Sequence, residues 1–226
     1  MILFAILLTV GVQSNVNQHD VSVNAVMSGV VRIETGRGKG TGFVVATSAE
    51  SGTAEIWTNA HVAGMRGTEL SIVWFPGTMA EQRTRGRVWT SEKSGMVDRA
   101  KISARLPKSK PVFALAIRES NVATSGMDGG LFACGYPRGG WCYALPISPV
   151  QSNVNFGTTH RPTAIPGQSG SPVFDRLGNV IGVQTFRVTD ANGKKYGVFL
   201  PIEHWLGYER QSIPLQPNVS PIGLAR

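Results

Sequence analysis

From residue 30 onward the chain is a succession of short runs in which apolar residues recur at every second position, and that period limits what it can fold into. Val31 and Ile33 alternate with Arg32 and Glu34, and Leu70, Ile72 and Trp74 alternate with Glu69, Ser71 and Val73. A period of two turns one face of a strand toward a core and the other toward water. Similar runs fall at residues 42–46, 55–58, 86–90, 131–134, 141–146, 172–174, 180–188 and 196–201, punctuated by Gly, Pro, Asn and Asp. The 27 glycines and 13 prolines suit the many turns such an arrangement needs. One turn is nearly explicit: residues 175–179 join Val173-Phe174 to Val180-Ile181 as a hairpin. A helical pattern comes only at the end, where residues 202–209 predict a short C-terminal helix. Many short strands at regular spacing predict an all-β protein, built as barrels or as a sandwich.

A chain of 226 residues can form one large domain or two small ones. The strand runs are interrupted at residues 107–111, where Lys108, Ser109, Lys110 and Pro111 follow one another. This seam divides the chain into β units at 28–110 and 111–209, followed by a Pro-rich, polar tail at 210–226 that predicts an extended segment. At the other end, residues 2–12 form an apolar run of the length of a secretory signal, too short to span a bilayer. Val12 and Ser14 are small enough to flank a cleavage site, so residues 1–14 are expected to act as a signal peptide, although no Lys or Arg precedes the run. The expectation is therefore an exported protein, periplasmic or extracellular.

The formal net charge of +8 is partly local. Arg83, Arg85, Arg87, Lys93, Arg99, Lys101, Arg105, Lys108 and Lys110 fall within segment 83–110. Such a segment is either a solvated basic face or a contact for a polyanion, and no aromatic interleaving sharpens the second reading. Only two cysteines are present, Cys134 and Cys142, which rules out a scaffold built on disulfides. They flank the turn-like segment 135–141, so two outcomes stay open: a disulfide, or two reduced buried thiols. No Cys/His spacing suggests zinc.

The strongest chemical signal is Pro166-Gly167-Gln168-Ser169-Gly170-Ser171-Pro172. A serine hydroxyl is a weak nucleophile unless a base removes its proton, and acyl transfer also needs donors aimed at the oxyanion that forms. Gly167 permits a turn that a side chain would block, after which the amides of Gly167 and Ser169 can point at one spot. Gly170 leaves room for substrate, and a strand begins at Pro172. The pattern differs from the nucleophile elbow Gly-x-Ser-x-Gly, since the second residue after Ser169 is Ser171 and a strand follows rather than a helix. The second signal is Thr58-Asn59-Ala60-His61-Val62, read as a loop at the end of a strand. An imidazole beside Ser169 is the expected base. The other histidines carry less: His19 is near the terminus, His204 lies in the closing helix, and His160, just upstream of the serine loop, is open to two readings, a lining residue of a specificity pocket or, as preferred here, a surface residue.

Taken together, Gly40-Thr41-Gly42-Phe43, then Thr58 to Val62, then residues 166–174 and 179–186 resemble the trypsin-like serine proteases, nearest the HtrA (Deg) branch. The resemblance spans residues 30 to 205 and implies two packed six-stranded β-barrels of the chymotrypsin type. It implies a serine endopeptidase acting on polypeptides, with no metal and no organic cofactor. Ser169 matches the family's nucleophile, His61 its base, and Gly167 and Ser169 its oxyanion-hole amides. Asp98 matches the acid that orients the base, although Arg99 and Lys101 flank the usual apolar follower, Ala100. Asp128, the other aspartate between His61 and Ser169, reads as part of a solvated turn. Thr185, Phe186 and Arg187 match the edge that pairs with an extended substrate, Gly197 a lining position of the specificity pocket, and Thr163 and Ala164 its floor. That floor carries no acid, so cleavage after Lys or Arg is not expected and small or apolar residues are favoured. Ser171 departs from the glycine that many members carry there. The rival reading is a non-catalytic peptide- or polyanion-binding domain on the same fold, which a missing triad residue would signal; all three are present.

Overall fold

The structure is a computed structural model that describes residues 26–95, 97–118, 130–140, 143–150, 158–175 and 177–206. The expected signal peptide, Asp128, Cys142 and the C-terminal tail lie outside the described residues. Six strands close a first barrel: β1 (Val30–Thr35), β2 (Gly38–Ser48), β3 (Thr53–Thr58), β4 (Glu69–Trp74), β5 (Gln82–Ser94) and β6 (Val97–Arg105). They run in the order β1-β2-β3-β6-β5-β4. A second barrel closes from β7 (Leu131–Gly135), β8 (Tyr143–Val150), β9 (Thr158–Arg161), β10 (Pro172–Phe174), β11 (Val180–Thr189) and β12 (Lys195–Pro201), in the order β10-β11-β12-β9-β8-β7. The named pairings within both barrels are antiparallel.

The period-two residues become the barrel interiors. Ile33, Val44, Ile56, Ile72, Trp74, Val88 and Ile102 meet inside the first barrel. Leu131, Ala133, Ile147, Val173, Ile181 and Phe199 fill the second. Each such side chain taken fully out of water contributes roughly 1.5–3 kcal/mol. Long strands must bend to close, and β2, β5 and β11 do so at irregularities in register: Val44/Ala46, Val88/Thr90 and Gln184/Phe186. A third cluster lies between the barrels and joins Val30, Phe43 and Trp57 of the first to Tyr136, Phe174, Val183, Ile202 and Trp205 of the second.

Three local expectations change. β9 has the sequence Thr-Thr-His-Arg, with no apolar alternation to reveal it, and it forms because it fills the gap between β12 and β8. Asp98, whose segment is not among the alternating runs above, lies inside β6, paired with Lys93 across β5. His61, read as a loop residue, sits in a single helical turn, α1 (Ala60–Ala63), which stops at Gly64 with a backbone φ of 86°. The C-terminal helix begins at residues 203–206, and those at 207–209 lie outside the described residues.

Trp205, from that closing turn, is only 2% exposed and stacks on Trp57 of β3 with ring centroids 5.4 Å apart. The stack locks the end of the chain's fold onto the strand that leads to His61. Trp205→Ala should lower the unfolding free energy by about 3–5 kcal/mol in a denaturant titration; a loss under about 1 kcal/mol would mean that this contact does not hold the barrels together.

Candidate active site

β3 and β6 pair with Thr58 opposite Ala100, so the residues just beyond that pair in either strand face one another. This register brings Asp98 beneath α1. Its carboxylate accepts twice from His61: Oδ1 from the backbone amide at 2.9 Å, and Oδ2 from ring Nδ1 at 2.5 Å. Two-point attachment fixes both the position and the rotation of the imidazole. Asp98 is largely withdrawn from water, its side chain 14% exposed, while that of His61 remains 33% exposed. Burial alone pushes the Asp98 carboxyl up. The hydrogen bonds and charge of His61, its amide and the charge of Lys93 outweigh that effect and hold the carboxyl below the usual carboxylate range.

The serine loop is a compact turn that uses its own polar groups. The Gln168 amide donates to the Ile165 carbonyl at 3.1 Å, and its side-chain Oε1 accepts from the Ile165 amide at 3.0 Å. Gly167 and Gly170 have φ of 94° and 84°, the left-handed region that disfavours side chains. Ser169 stands between them. Among the described residues, the amides of Gly167 and Ser169 donate to nothing, as two donors kept for an oxyanion would.

A set of hydrogen bonds from the first barrel holds this loop in place. The Thr41 amide of β2 donates to the Ser169 carbonyl at 2.9 Å, and the Thr41 hydroxyl donates to the Gly167 carbonyl at 2.8 Å. The same hydroxyl accepts from the Tyr136 amide at 3.0 Å, and the Thr41 carbonyl accepts from the Thr58 hydroxyl at 2.6 Å. Thr58 is three residues before His61, so one short chain of contacts links the serine loop to the histidine turn. Asn59 adds a second link. Its Nδ2 donates to the Asp98 carbonyl at 2.9 Å and to the Thr185 hydroxyl of β11 at 3.3 Å. Among the described residues the Ser169 hydroxyl has no hydrogen bond to His61. Catalytic hydrogen bonds of unliganded enzymes are often long and tighten in the substrate complex.

Hydrogen bonds through Thr41, Thr58 and Asn59 thus link the loop of Gly167 and Ser169 to the turn of His61 and to Asp98. Thr185 is buried and ties the barrels through Asn59, whereas Phe186 is half-buried and Arg187 exposed on the same strand. Ala164 is buried, and Thr163 has its hydroxyl out of contact with water. His160, read as a surface residue, is instead 1% exposed, its Nε2 lying 2.5 Å from Gln184 Oε1. Cys134 is buried on β7, and its pairing with Cys142 lies outside the described residues. The basic segment is not one uniform face, for Arg83 pairs with Glu34, Arg99 with Glu92, and Lys101 lies over Trp57 and Trp89. Among the described residues no three His, Cys, Asp or Glu side chains gather as metal ligands. Sequence reasoning missed Thr41 and Asn59 as site residues, although both stand in motifs it had singled out.

Residues 40–183 match the sequence model of the family described as the trypsin-like peptidase domain. None of the curated protein sequences matches significantly. Among solved structures, the Rv3671c protease of M. tuberculosis in an inactive form is 25% identical, with a TM-score of 0.61 over 84% of this chain and 92% of that one. The HtrA-type protease AlgW with a tripeptide is 17% identical, with a TM-score of 0.65 over 87% of this chain. The serine endoprotease of Yersinia pestis is 14% identical, with a TM-score of 0.62 over 85% of this chain. This chain spans 64% of the length of AlgW and 65% of the Yersinia enzyme. On the family match and the two closed barrels, the chain belongs to the trypsin-like peptidase family and is a serine endopeptidase with the chymotrypsin-like fold of the HtrA proteases.

Proposed function

We propose that the protein hydrolyses peptide bonds through an acyl-enzyme on Ser169, with His61 as general base and acid and Asp98 as the residue that orients it. The observation that carries this reading is the pair of hydrogen bonds that His61 donates to Asp98, beside a serine loop in which the amides of Gly167 and Ser169 donate to nothing among the described residues. Ser169 Oγ attacks the scissile carbonyl carbon while its proton passes to His61 Nε2. The carbonyl oxygen becomes an oxyanion held by the Gly167 and Ser169 amides. Collapse of that intermediate breaks the C–N bond, and His61 returns the proton to the departing amine. Water then repeats the sequence, with His61 taking its proton and Ser169 leaving as the restored hydroxyl. Asp98, fixed on Nδ1, keeps the proton-accepting lone pair on Nε2 and stabilises the imidazolium.

Substrate would bind as an added strand. β10 pairs with β11 only over Val180–Val183, so beyond Gln184 that edge of β11 carries Phe186 and Arg187 toward the cleft with no strand beside it among the described residues. A pocket floor of Thr163 and Ala164 offers no carboxylate to a buried cation, whose desolvation would go uncompensated. The proposed setting is outside the cytoplasm, on the basis of the apolar start of the chain. Exposed Arg85 and Arg87 on β5 are the proposed contact for any polyanion.

Three outcomes test this reading. Ser169→Ala should fold normally and lose peptide hydrolysis altogether; retained turnover would exclude Ser169 as nucleophile. Asp98→Asn should slow kcat by about 10⁴-fold, because the amide favours the wrong tautomer of His61, and a change under tenfold would reassign the acid. Asp98→Asn should also change the pH dependence of stability. The Asp98 carboxyl is depressed in the folded state, so its contribution is full well above the unfolded value of about 3.9 and disappears as the pH falls through the lower folded value. The stability advantage of the wild type over the Asn variant should therefore hold from about pH 5 upward and close below about pH 4. A gap that stayed constant down to pH 2 would contradict the assigned charge.

A further inference from the structure

His160 and Gly197 are direct partners across β9 and β12, so their side-chain directions share one face of the second barrel. A Cβ placed on Gly197 would overlap His160 Cε1 and Nε2 and would lie 3.0 Å from the Ala164 amide nitrogen. The imidazole therefore occupies the space that a glycine at this position leaves open. It is pinned there. Gln184 Nε2 donates to the Val198 carbonyl at 2.9 Å, which turns Gln184 Oε1 toward the ring, and His160 Nε2 donates to that oxygen at 2.5 Å. Burial holds the imidazole toward its uncharged form, partly offset by Gln184 and the Pro162 carbonyl. Its Nδ1 faces the Pro162 carbonyl outside strict hydrogen-bond geometry, and among the described residues the Thr163 hydroxyl three residues on has no partner. Gly197, Ala164 and Thr163 are the positions assigned above to the specificity pocket. The residue that fills their shared space is thus part of that pocket, not of the surface.

We propose that the His160–Gln184 pair is the specificity determinant of this protease: the imidazole forms the raised floor of the pocket, so that only small side chains (Gly, Ala, Ser) are accepted before the scissile bond. The proposal rests on the serine-protease reading and adds the size of the residue it accepts. His160→Ala removes the ring and opens the space beside Gly197. His160→Gln is the conservative control, since it keeps a buried amide able to reach Gln184. Gly197→Ala should be poorly tolerated alone, because its methyl collides with the ring, and should be rescued in the double variant with His160→Ala.

The test is cleavage-site profiling on a peptide library with wild type, His160→Ala and His160→Gln, together with melting curves of Gly197→Ala with and without His160→Ala. The wild type should cleave after Gly, Ala or Ser. In His160→Ala the kcat/KM for Leu or Met relative to Ala should rise by about tenfold or more. His160→Gln, which keeps a polar group able to reach Gln184 but loses the ring, should show the same shift to a smaller extent. A wild type that cleaves best after Leu, Phe or another large residue overturns the proposal, whether or not the variants fold. So does a His160→Ala profile unchanged from wild type, or a Gly197→Ala protein as stable as wild type. Complete absence of hydrolysis by the wild type would instead be a failure of the serine-protease reading.

Discussion

Thr41 makes four hydrogen bonds while fully shielded from water, and they run in both directions across the junction of the barrels. Its amide and hydroxyl hold the carbonyls of Ser169 and Gly167, and so set the orientation of the serine loop. Its hydroxyl also receives the Tyr136 amide, and its carbonyl receives Thr58, at the root of the turn that carries His61. A buried polar group left without its partner costs roughly 1–3 kcal/mol, so loss of any one member would be felt by the others. The proposed catalytic groups come from a helical turn and a strand of the first barrel and a loop of the second. What turns them into one site is this small polar seam, laid over the apolar contact of Phe43, Trp57 and Val30 with Tyr136, Val183 and Trp205.

The polar groups of the molecule are therefore divided by purpose. At the junction Thr41, Thr58 and the Asn59 amide all donate to acceptors, while Asn59 Oδ1 and Ser171 Oγ are buried without a partner among the described residues. In the serine loop the amides of Gly167 and Ser169 are left undonated, and Gly167 and Gly170 take backbone conformations open mainly to glycine. Near the proposed pocket, Thr163 Oγ1 is buried with no partner among the described residues. Preorganised donors accelerate chemistry because they need no rearrangement when charge develops, which is why a rigid frame and unsatisfied groups occur side by side.

The two barrels were legible in the sequence because alternation of apolar residues is a strong local signal, and most strands lie within a few residues of where it placed them. His61 and Ser169 were legible because each stands in a run with few structural alternatives. β9 was not: Thr158, Thr159, His160 and Arg161 form a strand through pairing with β12 and β8 rather than through any pattern of their own. For the same reason His160 passed for a surface residue, since polar neighbours conceal that a glycine on the next strand makes room for its ring. Thr185 stands on β11 with its side chain turned inward, and its bond from Asn59, distant in sequence, is not written in any local pattern. Contacts made across long separations are what a reading by period and motif leaves out.

The central claim is that a chain of buried contacts presents one serine, and only one, as an activated nucleophile. The most direct measurement is to treat the folded protein with a fluorophosphonate and locate the adduct by peptide mass spectrometry. The account predicts one adduct per chain, on Ser169, while the neighbouring Ser171 stays unmodified. No adduct, or an adduct on Ser171 or another serine, would contradict it.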